Sequence, residues 1–264
     1  MTLPILWNKL GSIAQVTTSE IGSGGNIVGS IGFEPSKYDD GFIAKAPLNG
    51  ITFPIEIQDQ IRDRGTIELW FTPKYSNPIP YVAGYFMLFA GDIQFWWGDG
   101  VSGGGGLVVQ LYFGNPSWPT AEEPTPWIAT PYQNYHLAAV WDKSGIDGSS
   151  DTIRIYRDGV IVANAATAAW GTDPAIYNSP IGIGADAQYD RYIIDNMKIY
   201  DYAKTDFSDR FVEGFIPARK GHLTKLTSSS IVRGPLPLHD TIAGQNNISL
   251  VRASNRIGGI IYLD

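Results

Sequence analysis

The chain has 264 residues, of which 44% are hydrophobic and 17% charged, the composition of a globular chain rather than a disordered one. It has no cysteine, which excludes a disulfide framework, thiolate metal centres and cysteine nucleophiles. The formal charge of −7 is uneven: residues 216–264 hold six bases and two acids, while residues 1–215 hold 13 bases and 24 acids. That acidic body lacks the clustered Lys and Arg that nucleic acid requires, so no nucleic-acid partner is expected.

The opening Met1-Thr-Leu-Pro-Ile-Leu-Trp-Asn-Lys9 has no basic segment ahead of an apolar core, so no Sec-type leader is expected. No apolar run approaches the ~18 residues of a membrane span, so no membrane insertion is expected either. Residues 1–32 are rich in Gly and Ser around positions 21–32 and read as an N-terminal arm.

From residue 33 to about 215, strand signals recur at short intervals. Thr66-Ile-Glu-Leu-Trp-Phe-Thr72 sets Ile67, Leu69 and Phe71 on one face and Glu68 and Trp70 on the other, the period of a strand. Apolar runs follow at 85–90, 93–97, 107–113 and 135–141. Thr152-Ile-Arg-Ile-Tyr156 and Val160-Ile-Val-Ala163 flank Asp158-Gly159, the pair that favours a tight hairpin because both residues tolerate positive φ. Further strands are expected at 181–184 and 192–200. The one helical pattern is 206–214, where Phe207 and Phe211 stand at i, i+4. Many short strands and almost no helix predict an all-β, two-sheet antiparallel jelly-roll sandwich.

From Ile216 the composition shifts. Residues 216–264 contain no Trp, no Phe and one Tyr, yet three stretches still alternate. Strands without a core of their own are expected to pair elsewhere, on the body's sheet edge or on a neighbouring subunit. The chain therefore divides into an arm (1–32), a jelly roll (33–215) and a basic C-terminal tail (216–264).

The central segment resembles the laminin G-like, concanavalin A-like jelly roll in its three-part bacterial and viral form. Ser36-Lys-Tyr-Asp-Asp-Gly-Phe-Ile-Ala-Lys-Ala46, Gly65-Thr-Ile-Glu-Leu-Trp-Phe-Thr-Pro73 and Asn134-Tyr-His-Leu-Ala-Ala-Val-Trp-Asp142 carry the likeness. So do Ile153-Arg-Ile-Tyr-Arg-Asp-Gly-Val-Ile-Val162, Ile181-Gly-Ile-Gly184 and Ile194-Asp-Asn-Met-Lys-Ile-Tyr-Asp-Tyr-Ala203. The fold it implies hosts lectins, receptor-binding modules, adhesion domains, viral appendage domains and some glycosidases, so fold alone does not settle function.

Glucanases on this fold carry a strand motif Glu-x-Asp-x-x-Glu, and no such string exists here; Glu68 and Asp195 are single acids on their strands. His136, His222 and His239 are far apart in sequence and suggest no metal or triad. No enzyme is expected. The resemblance places Asp39, Asp40 and Gly41 beside Asp195, a set of hard oxygens suited to a structural calcium ion; the alternative is a turn beside a hydrogen-bonded Asp195. Trp96, Asp99, Trp118 and Trp127 flank the Pro- and Gly-rich 98–130 insertion, where tryptophan stacks on sugar rings and Asp99 or Asn115 meets hydroxyls. The alternative is that these tryptophans pack the core, as is expected of Trp70, Trp97 and Trp141.

Two functional classes follow. One is a non-enzymatic structural protein, a subunit of a virion (phage capsid or tail appendage) or another extracellular assembly, made in the cytosol and forming homo-oligomers or joining other subunits through its tail. The other is a lectin-like carbohydrate-binding module for adhesion or host recognition.

Overall fold

The computed structural model describes residues 2–46, 49–76, 85–90, 93–98, 105–111, 119–166, 180–184 and 190–211. The chain divides into two units, Met1–Gly214 and Phe215–Asp264, and all described residues belong to the first.

Two antiparallel sheets form a sandwich. The first runs β13 (Val160–Ala165), β12 (Ile153–Arg157), β11 (Tyr135–Asp142), β6 (Arg64–Pro73), β15 (Tyr192–Tyr200), β4 (Asp40–Ala44) and β3 (Ile31–Pro35), with β1 (Leu6–Asn8) also paired to β15. The second runs β10 (Thr120–Glu122), β9 (Leu107–Leu111), β8 (Ile93–Trp97), β7 (Tyr85–Ala90), β14 (Ile181–Ile183), β5 (Gly50–Phe53) and β2 (Asn26–Val28). Two one-turn helices, α1 (Ile13–Thr17) and α2 (Glu56–Gln60), add Val16 and Ile57 to the core.

Period-two alternation builds the core. Ile67, Leu69 and Phe71 of β6 meet Tyr135, Leu137, Ala139 and Trp141 of β11 on the inner side. Phe95 and Trp97 of β8 and Leu107, Val109 and Leu111 of β9 close it from the second sheet. In β15 the rhythm breaks once. Asn196 adopts φ 51° and the pairing with β6 shifts between Asp195 and Lys198. This bulge lets Ile194 and Met197, three apart, both face inward. Asp158 (φ 54°) and Gly159 (φ 83°) form the expected hairpin turn between β12 and β13.

Two expectations are corrected. Residues 1–32 are not an outlying arm: β1 joins the first sheet, β2 joins the second, and Leu6, Trp7, Leu10 and Val16 are buried. The glycines there serve close packing rather than looseness; a Cβ on Gly24 would stand 1.9 Å from the Thr17 carbonyl oxygen. Nor do the described residues of 206–214 form a helix. Residues 208–211 are turns, because Phe207 and Phe211 are each held separately on the outer side of the first sheet.

Candidate functional site

The outer faces of the two sheets differ in burial and in charge. On the first sheet, β6, β11 and β15 are buried on both faces along almost their whole length. Residues 203–211 lie across that outer face. Ala203 and Phe207 pack on Ala138, Val140, Ile146 and Tyr156, and Phe211 and Tyr38 stack on Trp70.

Beneath this cover sits an ionic cluster centred on Glu68, which is 2% exposed. Lys204 Nζ donates to Glu68 Oε2 at 2.9 Å and to Asp209 Oδ1 at 2.9 Å, and the Tyr200 hydroxyl donates to Glu68 Oε1 at 3.0 Å. Lys198 Nζ lies 3.6 Å from Glu68, as does His136 Nε2, whose ring packs edge-on against Trp70. Burial alone would push the Glu68 carboxyl up; His136, Lys204 and Lys198 outweigh it and hold the carboxyl well below the usual range. Burial and the neighbouring Glu68 charge push the Tyr200 hydroxyl far up. Glu68 is thus a closed structural anion, without the solvent access a general acid or base needs.

The second sheet is the opposite case. Of all residues in its seven strands, Glu122 alone is ionisable as an acid or base in the Asp, Glu, Lys, Arg and His classes. On its outer side, along β8, half-buried Gln94 and Trp96 alternate with the buried residues of the core. Register sets these into two rows across three strands. Gln94 stands opposite Gln110, and Gln110 opposite Thr120; Trp96 stands opposite Val108, and Val108 opposite Glu122. Their neighbours Phe95, Val109 and Ala121 belong to the inner core, so all six of these side chains share the outer face. Three strands by two residues span about 10 Å by 7 Å. Within the grid Gln110 Nε2 donates to Thr120 Oγ1 at 3.2 Å. An indole flanked by two carboxamides and a hydroxyl combines a stacking surface with groups that both donate and accept hydrogen bonds.

The residues named from sequence separate accordingly. Trp96 lies on this face. Asp99, Trp118 and Asn115 lie outside the described residues, as do His222 and His239. Trp127 is 7% exposed and packs on Phe71, Trp97 and Tyr135, with the Arg157 guanidinium over its ring. It plugs the core, so it offers no face to a sugar.

The segments holding Asp39 and Asp195 do meet, but through a backbone group: the Tyr38 N–H donates to Asp195 Oδ2 at 2.8 Å. Asp39 is an exposed turn residue with φ 58°, Asp40 is exposed, and Gly41 is buried where β4 crosses close to Ile193. Among the described residues, no three His, Asp or Glu side chains converge as ligands for a metal. The set named for calcium therefore does not form a carboxylate cage around one point.

Sequence reasoning missed Gln94, Gln110, Thr120 and Glu122, because their grouping depends on strand register. One signal was present: no Lys or Arg occurs between Lys74 and Lys143. A separate cleft of about 570 Å³ lies beside α2 and the ends of β6 and β11. Its lining mixes Asp59, Asp63, Asp142 and Asp201 with Arg62, Arg64 and Lys143, without an aromatic platform.

Among the described residues, no helix is long and apolar enough to cross a membrane. No curated protein sequence matches this one. Solved structures share the fold at low identity. Domain 4 of AbnA, an extracellular arabinanase from Geobacillus stearothermophilus, in complex with arabinotriose, is 17% identical with a TM-score of 0.53, over 76% of this chain and 93% of that one. The receptor-binding domain of botulinum neurotoxin type G is 13% identical with a TM-score of 0.55, over 80% of this chain and 51% of that one. A botulinum neurotoxin type C structure, whose cell entry is described as dependent on two ganglioside molecules, is 12% identical with a TM-score of 0.55, over 76% and 48%. This chain spans about half the length of the neurotoxin chains it matches. The family model described as the concanavalin A-like lectin/glucanases superfamily matches residues 49–207, more than half of the sequence, and the chain belongs to that family.

Proposed function

We propose that the protein is a non-enzymatic glycan-binding module that holds its ligand on the outer face of the second sheet. The observation that carries this reading is the grid of Gln94, Trp96, Gln110 and Thr120, four half-buried side chains without a charge among them, set side by side on one sheet face. The outer side of a sheet ordinarily carries charged side chains; here an aromatic ring and amides stand in their place, with Glu122 at the edge. A sugar ring has an apolar face and an equatorial fringe of hydroxyls, and the grid offers a partner for each. Arabinotriose, the neutral oligosaccharide named with one of the fold neighbours, supports a glycan as the class of ligand.

The test is a glycan array followed by calorimetry on the hits. Trp96→Ala is expected to weaken binding by roughly 30-fold, the size of a buried aromatic anchor at about 2 kcal/mol. Gln94→Ala and Gln110→Ala are each expected to cost roughly 3- to 10-fold, one net hydrogen bond. An array with no hits, or hits unmoved by Trp96→Ala, would end the reading.

A second role concerns assembly. Residues 1–215 hold 13 bases and 24 acids, whereas residues 216–264 hold six bases and two acids, so the two parts carry opposite net charge. In this reading the basic tail joins the module to other subunits of an extracellular assembly such as a virion, and opposite charge fixes the contact. Removal of residues 216–264 would then leave a folded, unassembled protein; assembly that survives the deletion would exclude the tail.

A further inference from the structure

Resting on that reading, we infer that the Trp96 face selects uncharged glycans and excludes those bearing carboxylate, sulfate or phosphate groups. Anionic sugars are recognised by charge-assisted donors, chiefly Arg and Lys. The stretch that forms β7 to β10 and their connections, from residue 75 to 142, contains neither. Several cations elsewhere in the described body are engaged in pairs. Lys45 and Lys74 are held by Glu34 and Asp190, and Lys204 by Glu68 and Asp209. Arg157 is held by Glu123 at 2.7 Å.

The polar side chains of the face, Gln94, Gln110 and Thr120, are of kinds that both donate and accept. A carboxamide presents an N–H₂ and a carbonyl, and a threonine presents a hydroxyl, which complement sugar hydroxyls that also donate and accept. An ionised carboxylate only accepts, so half of that capacity is wasted on it. The single charge on the grid has the wrong sign for an anion as well: Glu122 is exposed and shares a row with Trp96. Like charges at this spacing repel, and salt within the range of the Debye length screens the repulsion.

The experiment uses the full chain and a panel of matched pairs, each a neutral oligosaccharide and its counterpart carrying a uronate, sialate or sulfate. Affinity is read by calorimetry at low salt and again at high salt. For every pair that binds, the neutral member is expected to bind at least about tenfold more tightly. The gap should narrow severalfold in high salt and in Glu122→Gln, and Gln110→Lys should raise the affinity for the acidic members. If acidic members bind as tightly as neutral ones and Trp96→Ala abolishes both, the selection is overturned while the face stands as the glycan site. If no member of any pair binds, the glycan reading falls and the selection with it.

Discussion

Replacing Glu68 by alanine is expected to destabilise the protein by about 3 kcal/mol or more, the cost of breaking a buried ion pair from one side. The change strips the carboxylate from Lys198, Lys204 and the Tyr200 hydroxyl while the face stays buried under residues 203–211. Lys204 keeps Asp209 and Lys198 keeps the Trp7 ring, which places the loss at the lower end of the range for buried pairs. For a domain of this size, melting should fall by about 2–4 °C per kcal/mol. Glu68→Gln keeps the shape and an acceptor for Tyr200, so it is expected to cost less.

The two variants also differ from the parent in their response to acid. The native Glu68 carboxyl ionises well below its ordinary range. Its contribution is therefore complete above about pH 4.3, the unfolded value, and is lost progressively as the pH falls below that. The Lys204 ammonium is the reverse case: burial would lower its pKa, but Glu68 and Asp209 raise it. Its contribution is complete below about pH 10.4 and fades as the pH rises beyond. Denaturant titrations between about pH 3 and 7 should show the parent losing stability toward acid more steeply than Glu68→Gln. Parallel curves would mean that the ionised carboxylate contributes nothing.

A chain beginning at residue 33 is expected not to fold, although the Gly- and Ser-rich start reads as dispensable. It would lose β1 from the side of β15 and β2 from the side of β5. It would also lose four buried apolar side chains, Leu6, Trp7, Leu10 and Val16. At about 1.5–3 kcal/mol each, these come to roughly 6–12 kcal/mol, against a total stability of about 5–15 kcal/mol for a typical domain. The Asn196 bulge would lose its partners too, since its side chain accepts from the Trp7 indole and its N–H donates to the Lys9 carbonyl. Far-ultraviolet circular dichroism of residues 33–264 should show no cooperative melting. A cooperative transition near that of the parent would return these residues to the status of an arm.

The body of the sandwich was legible in the sequence where strands alternate strongly. Ile67, Leu69 and Phe71 face the core as their spacing requires, and Asp158-Gly159 turns the chain where expected. The N-terminal strands were not legible, because Leu6-Trp7-Asn8 and Asn26-Ile-Val28 are three residues long and show no period of their own. Neither was the fate of Phe207 and Phe211. Their i, i+4 spacing suits a helix, but a sheet face rich in Trp70, Tyr156 and His136 binds each ring singly and overrides local preference. The site was half legible. Trp96 stood out as an aromatic beside a loop, whereas Trp127, chemically its equal, is drawn into the core by Phe71, Trp97 and Tyr135. Gln94, Gln110 and Thr120 become one surface only through the pairing of β8, β9 and β10, which no linear pattern displays.

The most direct measurement is nuclear magnetic resonance of the labelled protein, following tryptophan indole and glutamine side-chain amide signals during titration with a neutral oligosaccharide that binds. The account predicts that Trp96, Gln94 and Gln110 shift together and saturate at one affinity, while the buried indoles of Trp70 and Trp141 stay in place. Shifts gathered at Tyr38, Phe211 and the first sheet, or around the Arg62–Lys143 cleft, with Trp96 unmoved, would contradict it.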